Sequence, residues 1–93
     1  MTVDILRGDT AALPACENAA ALLPCAGKTL TLACTDENGM AALRVLRTLM
    51  DYGYAHAQPE RVVLVCADEA VYKSYRFQWN MWFAERKPTH ADD

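Results

Sequence analysis

The side chains with the chemistry to act as nucleophiles or bases are few in this chain, and they lie at the ends of predicted elements. Cys34 and Cys66 each close an apolar segment that we predict to be a β-strand. A thiol reacts readily when a nearby base or cation lowers its pKa. His56 falls in a predicted loop at the other end of a helix from Cys34, and His90 falls near the C-terminus. Because neither histidine is placed to help, we interpret both cysteines as small core residues.

Two pairs of adjacent carboxylates lie at predicted starts of helices. They are Asp36 with Glu37 and Asp68 with Glu69. Acidic side chains in a first helical turn pair with unsatisfied amides and with the helix dipole, so capping explains both pairs without acid–base catalysis. Neither Cys-x-x-Cys nor His-x-x-x-His is present. We therefore predict no catalytic residue, no metal site and no cofactor.

The elements that would position these side chains follow from the apolar pattern. Strands are expected at residues 3–6, 28–34 and 62–66. A first helix is expected at residues 14–23, and a second runs from the start cluster at residues 35–38 to Gly53, which would end it in a left-handed conformation. A third helix follows the N-cap Asp68 for about five turns. Residues 54–60 are expected to be a loop. Strands joined by helical crossovers pair in parallel. We predict a small α/β domain of two or three layers with a mainly parallel sheet of about three strands.

The last predicted strand and helix carry the strongest pattern. Residues 62–66 are apolar throughout, as the central strand of a parallel sheet is. The following helix holds most of the aromatic residues, namely Tyr72, Tyr75, Phe77, Trp79, Trp82 and Phe83. Apolar side chains surround much of its second half, more than one small sheet can cover. We expect a homodimer in which a second copy covers the rest; alternatively, the rings shield one another on the surface.

Composition limits the class of protein. The 93 residues suffice for one domain, which we place at residues 1–88 with a disordered tail at 89–93. A formal net charge of −3 argues against binding to duplex nucleic acid. No segment has the length of a signal peptide core or a membrane span, so we expect a cytoplasmic protein with reduced thiols and no membrane partner.

The order of these segments resembles the end of a macro domain, the ADP-ribose-binding α/β module. Residues 29–53 and 60–83 follow that family's order of strand, ligand loop, helix, apolar strand and aromatic helix. VDILRGDTAALPACENAAALL is similar to the family's first strand, its Gly-Asp-Ile-Thr turn and its Asn-Ala-Ala-Asn segment. The chain departs from the family in two motifs. Its version of the Gly-Asp-Ile-Thr turn lacks the isoleucine, and its version of the Asn-Ala-Ala-Asn segment lacks the second asparagine. It is also shorter and lacks the glycine-rich catalytic loop.

The resemblance implies a nucleotide site with six ligand-binding residues: Asp9, Asn18, Thr35, Asp36, Asn38 and Gly39. Asp9 matches the aspartate that accepts from the adenine amino group, which suits a carboxylate. Residues 35–39 follow a strand and start a helix, where phosphates bind. The acidic side chains there oppose phosphate, however, and turn formation or capping explains Asp9 and this loop equally.

We therefore expect a shortened, non-catalytic macro-like domain that binds an ADP-ribose-like nucleotide. The alternative is a protein-interaction or homodimerisation module whose working surface is the aromatic helix, with no small-molecule ligand. A weaker alternative is an ADP-ribosyl hydrolase, and the missing glycine-rich loop argues against it.

Overall fold

A three-stranded parallel sheet organises the fold. The computed structural model describes residues 1–84. The strands are β1 (Thr2–Arg7), β2 (Thr29–Cys34) and β3 (Arg61–Cys66), in the order β1-β3-β2. The predicted α/β fold with a parallel sheet is confirmed, and β3 has the central position that its continuous apolar sequence predicts.

The register brings the ends of the three strands to one level. Arg7 of β1 and Cys34 of β2 both lie opposite Cys66 of β3. Since all pairing is parallel, the carboxyl ends of the strands share one edge of the sheet, which we call the carboxyl edge. Loops that follow the strands emerge from this edge, where open α/β sheets bind ligands.

Two long helices, α2 (Gly39–Ala55) and α3 (Glu69–Trp82), cover one face of the sheet and pack against each other. Alternate strand residues face them, as strand geometry requires, so Ile5, Leu32 and Leu64 form one buried row. Leu46 from α2 and Tyr75 from α3 complete this core. The helical segment between β1 and β2, α1 (Ala19–Leu22), is a single turn of α-helix.

Side chains cap both long helices at the predicted places. Asp68 accepts a hydrogen bond from the Val71 amide at 3.0 Å, which confirms the predicted N-cap of α3. Asn38, the last residue of the predicted start cluster, caps α2. Such caps satisfy amides that have no partner within the helix.

The prediction of a helix over residues 14–23 is wrong for most of that segment. The Pro14 carbonyl accepts from the Ala33 amide at 2.7 Å, and Ala15 forms a parallel bridge with Ala33, so this backbone is extended. 3₁₀ turns at Cys16–Asn18 and Leu23–Cys25 flank the short α1. Pro24 lies in the second turn and has no amide hydrogen with which to continue an α-helix.

The end of α2 also differs from the prediction. Gly53 is not a left-handed terminator, because no glycine among residues 1–84 has a positive φ and the helix continues to Ala55. A Cβ on Gly53 would lie 3.1 Å from the Cβ of Met1, so the glycine allows the N-terminus to pack closely. Tyr54 and Ala55, predicted as loop, are helical. The His56 ring stacks on Tyr52 with centroids 3.9 Å apart, and the His56 amide donates to the Tyr52 carbonyl.

Helix α3 has 14 residues and is shorter than the predicted five turns. After it, Phe83 packs on Trp79 with ring centroids 5.8 Å apart. The end of the predicted domain, the predicted tail and His90 lie outside the described residues. Within residues 1–84, no helix combines the length and the apolar character needed to cross a membrane.

Candidate functional site

The carboxyl edge carries most of the predicted ligand-binding residues. Asp9 follows the end of β1 and residues 35–38 follow the end of β2, all of them exposed. β3 lies between these strands, and neighbouring strands are about 4.8 Å apart, so the two strand ends are separated by about 10 Å. The structure therefore brings Asp9 and the loop to one edge, on either side of β3.

Asp9 already has a structural role at this edge. Its Oδ1 accepts a hydrogen bond from the Ala11 amide at 3.0 Å, which forms an Asx turn. Next to it, Arg7 pairs with Glu69 at 2.8 Å, and both side chains are about half exposed. A carboxylate has capacity for further hydrogen bonds, so Asp9 can hold its turn and still accept from a ligand.

The loop between β2 and α2 holds itself in place. The Asn38 amide donates to Asp36 Oδ1 at 2.9 Å, and Asn38 Oδ1 accepts from the amides of Met40 at 2.8 Å and Ala41 at 3.4 Å. Because Asn38 already pairs with these amides, a phosphate that bound them would have to displace its side chain. Thr35 and Asp36 are exposed beside this cap.

Gly39, the first residue of α2, allows helix α3 to pack closely against the start of α2. A Cβ on Gly39 would lie 3.0 Å from Nε2 of Gln78 on α3, so the missing side chain makes room for Gln78. The Oε1 atom of Gln78 is buried, and it has no hydrogen-bond partner among the residues that the structure describes. Gly39 thus supports helix packing at a position where we expected close approach of a ligand.

Asn18 lies in the 3₁₀ turn that precedes α1 and is not part of the loop after β2. It is exposed, and its side chain makes no capping bond to α1. Its neighbours line a pocket of about 340 Å³ between this turn, α1 and α2, which we call the Cys16 pocket. The pocket is lined by Cys16, Glu17, Ala19, Ala20, Ala41, Arg44, Val45 and Thr48. Asn18 is thus placed beside a different cavity from the one that the resemblance implies.

Behind the Cys16 pocket lies a group of buried side chains that sequence reasoning missed. We call it the thiol cluster: Cys16, Cys34, Cys66 and Tyr75 are each at most 1% exposed. Cys34 and Cys66 are register partners at the ends of β2 and β3, and both are buried, which confirms their interpretation as core residues. Cys16 Sγ lies 3.3 Å from the Tyr75 hydroxyl. Ala15 and Ala33 form a parallel bridge, so the residues that follow them, Cys16 and Cys34, lie side by side in the core.

These contacts make the three thiols unequal. The neighbouring Cys34 thiol and the Tyr75 hydroxyl lower the pKa of Cys16, although burial and the Glu17 carboxylate oppose them. The neighbouring Cys16 and Cys66 thiols, together with burial, raise the pKa of Cys34. Burial and the bond to Cys16 raise the pKa of Tyr75. The Cys34 thiol also lowers the pKa of Cys66, although burial opposes it. Cys16 and Cys66 therefore ionise more readily than Cys34. Residues 1–84 hold no group of three or more histidine, cysteine or carboxylate side chains arranged as metal ligands.

A third feature is the exposed apolar end of α3. Phe77, Met81 and Trp82 are each at least half exposed there, and Met40 at the start of α2 is 59% exposed. A second pocket, of about 290 Å³, is lined by Leu43, Arg47, Trp82 and Phe83. We call Phe77, Met81 and Trp82 the apolar end. The prediction that apolar side chains surround the second half of this helix is confirmed.

Comparison of the chain with protein-family models, with curated proteins and with solved structures gave no match. The resemblance to macro domains therefore stays a prediction.

Proposed function

We propose that this chain is a small, non-catalytic, macro-like α/β domain that binds an ADP-ribose-like nucleotide at its carboxyl edge. The observation that supports the proposal is the all-parallel order β1-β3-β2, in which Asp9 and the loop after β2 emerge at one exposed edge. Ligands of open parallel sheets bind at this edge. As part of the same proposal the protein works in the cytoplasm, since four free cysteines suit a reducing compartment.

Binding would rest on hydrogen bonds without a covalent step. Asp9 accepts from the exocyclic amine of the base, and the loop after β2 contacts the diphosphate by displacing the Asn38 cap. Asp36 and Glu37 oppose the negative charge of the diphosphate, so we expect weak binding. ADP-ribose is the first ligand to test, and ADP shows whether the distal ribose adds affinity.

The test is titration calorimetry of the reduced protein with ADP-ribose. Asp9→Ala should weaken binding by roughly tenfold or more, because a hydrogen bond to a charged group contributes about 1.5–3 kcal/mol. Asp51→Ala is the matched control, since Asp51 is exposed on the second half of α2 and its loss changes the net charge equally. If millimolar ligand produces no heat of binding and no thermal shift, the nucleotide hypothesis is wrong. Equal affinities of the two variants would remove the role of Asp9.

A second candidate function is a protein-interaction or homodimerisation module. It is supported by the apolar end, where Phe77, Met81 and Trp82 cluster on one helix and remain exposed. Large contiguous apolar patches on soluble domains mark surfaces that bind other proteins. We propose a second copy of this chain as the partner that covers Phe77, Met81 and Trp82.

A further inference from the structure

The thiol cluster gathers reactive side chains from four separate parts of the fold. Cys16 comes from the 3₁₀ turn before α1, Cys34 from the end of β2, Cys66 from the end of β3 and Tyr75 from α3. Neither the nucleotide proposal nor the interaction surface uses any of them. The three thiols lie together in the core at the carboxyl edge.

Cys34 has a thiol partner on each side. The backbones of adjacent strands are about 4.8 Å apart, so the Cα atoms of the register partners Cys34 and Cys66 fall within the range of about 4.4–6.8 Å seen for disulfides. On the other side, the parallel bridge between Ala15 and Ala33 places the next residues, Cys16 and Cys34, side by side in the core. Any disulfide within the cluster that these contacts allow therefore contains Cys34.

The Cys16 pocket provides a route to the cluster for a small reagent. Cys16 lines this pocket, and its Sγ lies 3.7 Å from Oε1 of the exposed Glu17. The pocket volume of about 340 Å³ far exceeds the roughly 30 Å³ that one water molecule occupies. Cys34 and Cys66 line neither this pocket nor the pocket beside Trp82. A reagent in the Cys16 pocket would thus meet Cys16 first.

We propose that the thiol cluster is an oxidisable site, in which a hydroperoxide that enters the Cys16 pocket converts Cys16 and Cys34 to a disulfide. The proposal is independent of nucleotide binding. In a reducing compartment such a disulfide is transient and reports an oxidising episode.

The chemistry proceeds in two balanced steps. The Cys16 thiolate attacks one peroxide oxygen; the O–O bond breaks, an S–O bond forms, and the departing oxygen takes up the proton that Cys16 lost. The Cys34 sulfur then attacks the Cys16 sulfur; the S–O bond breaks, an S–S bond forms, and hydroxide leaves as water with the Cys34 proton. The two thiols lose two electrons in total, and the hydroperoxide gains them.

The contacts in the cluster favour this order. A thiolate at Cys16 can accept from the Tyr75 hydroxyl and lies beside the Cys34 thiol, and both groups lower the pKa of Cys16, which increases the thiolate that reacts with peroxide. Once Cys16 is a neutral sulfenic acid, the Cys34 thiol no longer faces a thiolate there, which removes one cause of its raised pKa. Cys34 then becomes the attacking sulfur, and Cys66 remains beside it for exchange with the new disulfide.

The experiment treats the native chain with one equivalent of hydrogen peroxide, then quenches it with N-ethylmaleimide under denaturing conditions. We expect the mass loss of two hydrogen atoms and a Cys16–Cys34 cross-linked peptide, both reversed by dithiothreitol. Cys25 is exposed and outside the cluster, so Cys25→Ala should behave as the native chain does. This variant also removes the ambiguity of a tryptic peptide that holds both Cys16 and Cys25.

Cys34→Ala separates the two chemical steps. It should form no intramolecular disulfide, and its Cys16 sulfenic acid should be trapped by a cyclic 1,3-diketone. If Cys34→Ala fails to fold, the position of the disulfide in the native chain and in Cys25→Ala tests the proposal. The proposal is overturned if the native chain forms a disulfide only in denaturant, if Cys25 is the residue oxidised, or if the link joins Cys34 to Cys66 and leaves Cys16 reduced.

Discussion

At the scale of single residues, burial decides what otherwise similar side chains do. Trp79 and Trp82 lie on the same helix three positions apart, yet Trp79 is 7% exposed and Trp82 is 50% exposed. Trp79 packs against Phe83 and belongs to the core cluster. Trp82 belongs to the apolar end, so its ring contributes less to the stability of the isolated chain.

Trp79→Ala should therefore lower the free energy of unfolding by about 3–5 kcal/mol, the usual cost of truncating a large core aromatic. Trp82→Ala should cost far less, because water already reaches half of its surface in the folded state. Urea denaturation of the two variants measures this difference. Equal losses in the two variants would mean that α3 packs differently from the arrangement described.

Tyr75 should make the fold sensitive to alkali. Burial and Cys16 raise the pKa of Tyr75 in the folded state, whereas an unfolded tyrosine keeps its ordinary pKa of about 10. The folded state thus binds this proton more tightly, so stability is complete below about pH 10 and falls as the pH rises further. Cys34 acts in the same direction from about pH 8.5, the ordinary pKa of a thiol.

We expect the stability of Tyr75→Phe to fall less steeply above about pH 10 than that of the native chain, since phenylalanine has no proton to lose. Thermal melts followed by circular dichroism across this pH range give the two slopes. Tyr54→Phe is the control, because Tyr54 is 72% exposed. Identical slopes for the native chain and Tyr75→Phe would show that the Tyr75 hydroxyl is not the group involved.

At the scale of elements, local hydrogen bonds set where the long helices begin. Asn38 pairs with two amides of the first turn of α2. The loop before it is tied to the same residue through Asp36. The start of α2 is thus held by short-range contacts, which explains why the acidic and amide cluster marks this boundary in the sequence.

Asn38→Ala should cost about 1 kcal/mol of stability, with a range of about 0.5–2, because two amides lose their acceptor. Asn38→Ser should retain most of the stability, since serine also caps well. Asn80→Ala is the matched control on the exposed side of α3, where alanine favours the helix. Chemical denaturation compares the three variants. No loss in Asn38→Ala would show that the cap contributes nothing.

At the scale of the whole molecule, the sheet and both long helices bury one core and leave the apolar end of α3 uncovered. Phe77 and Met81 are 58% and 56% exposed, on a helix whose opposite face is buried. Such a surface is costly in water and favours association. A second copy that covers the same surface would bury both patches at once, as two-fold symmetric interfaces do.

Phe77→Glu should therefore convert a dimer to a monomer in sedimentation velocity at micromolar concentration, because a charge would be buried at the contact. Tyr54→Glu makes a similar change at an exposed aromatic residue on the far end of α2, and it should leave association intact. A native chain that sediments as a monomer under these conditions would contradict the dimer proposal.

The amino-acid sequence by itself determined the number of strands, their parallel pairing, the central place of β3 and the N-caps of the long helices. These features depend on apolar periodicity and on contacts within a few residues. The shared edge of Asp9 and the loop after β2 follows from them, because parallel strands end at the same side.

Only the tertiary structure decided the features that depend on distant residues. Ala15 is extended because it pairs with Ala33, although its alanine-rich surroundings favour a helix. Gly53 lies within α2 and leaves room for Met1 to pack on the helix. The thiol cluster joins Cys16 to Tyr75, which is 59 residues further along the chain. No local pattern encodes such contacts, because they form only when the sheet order brings separate elements together.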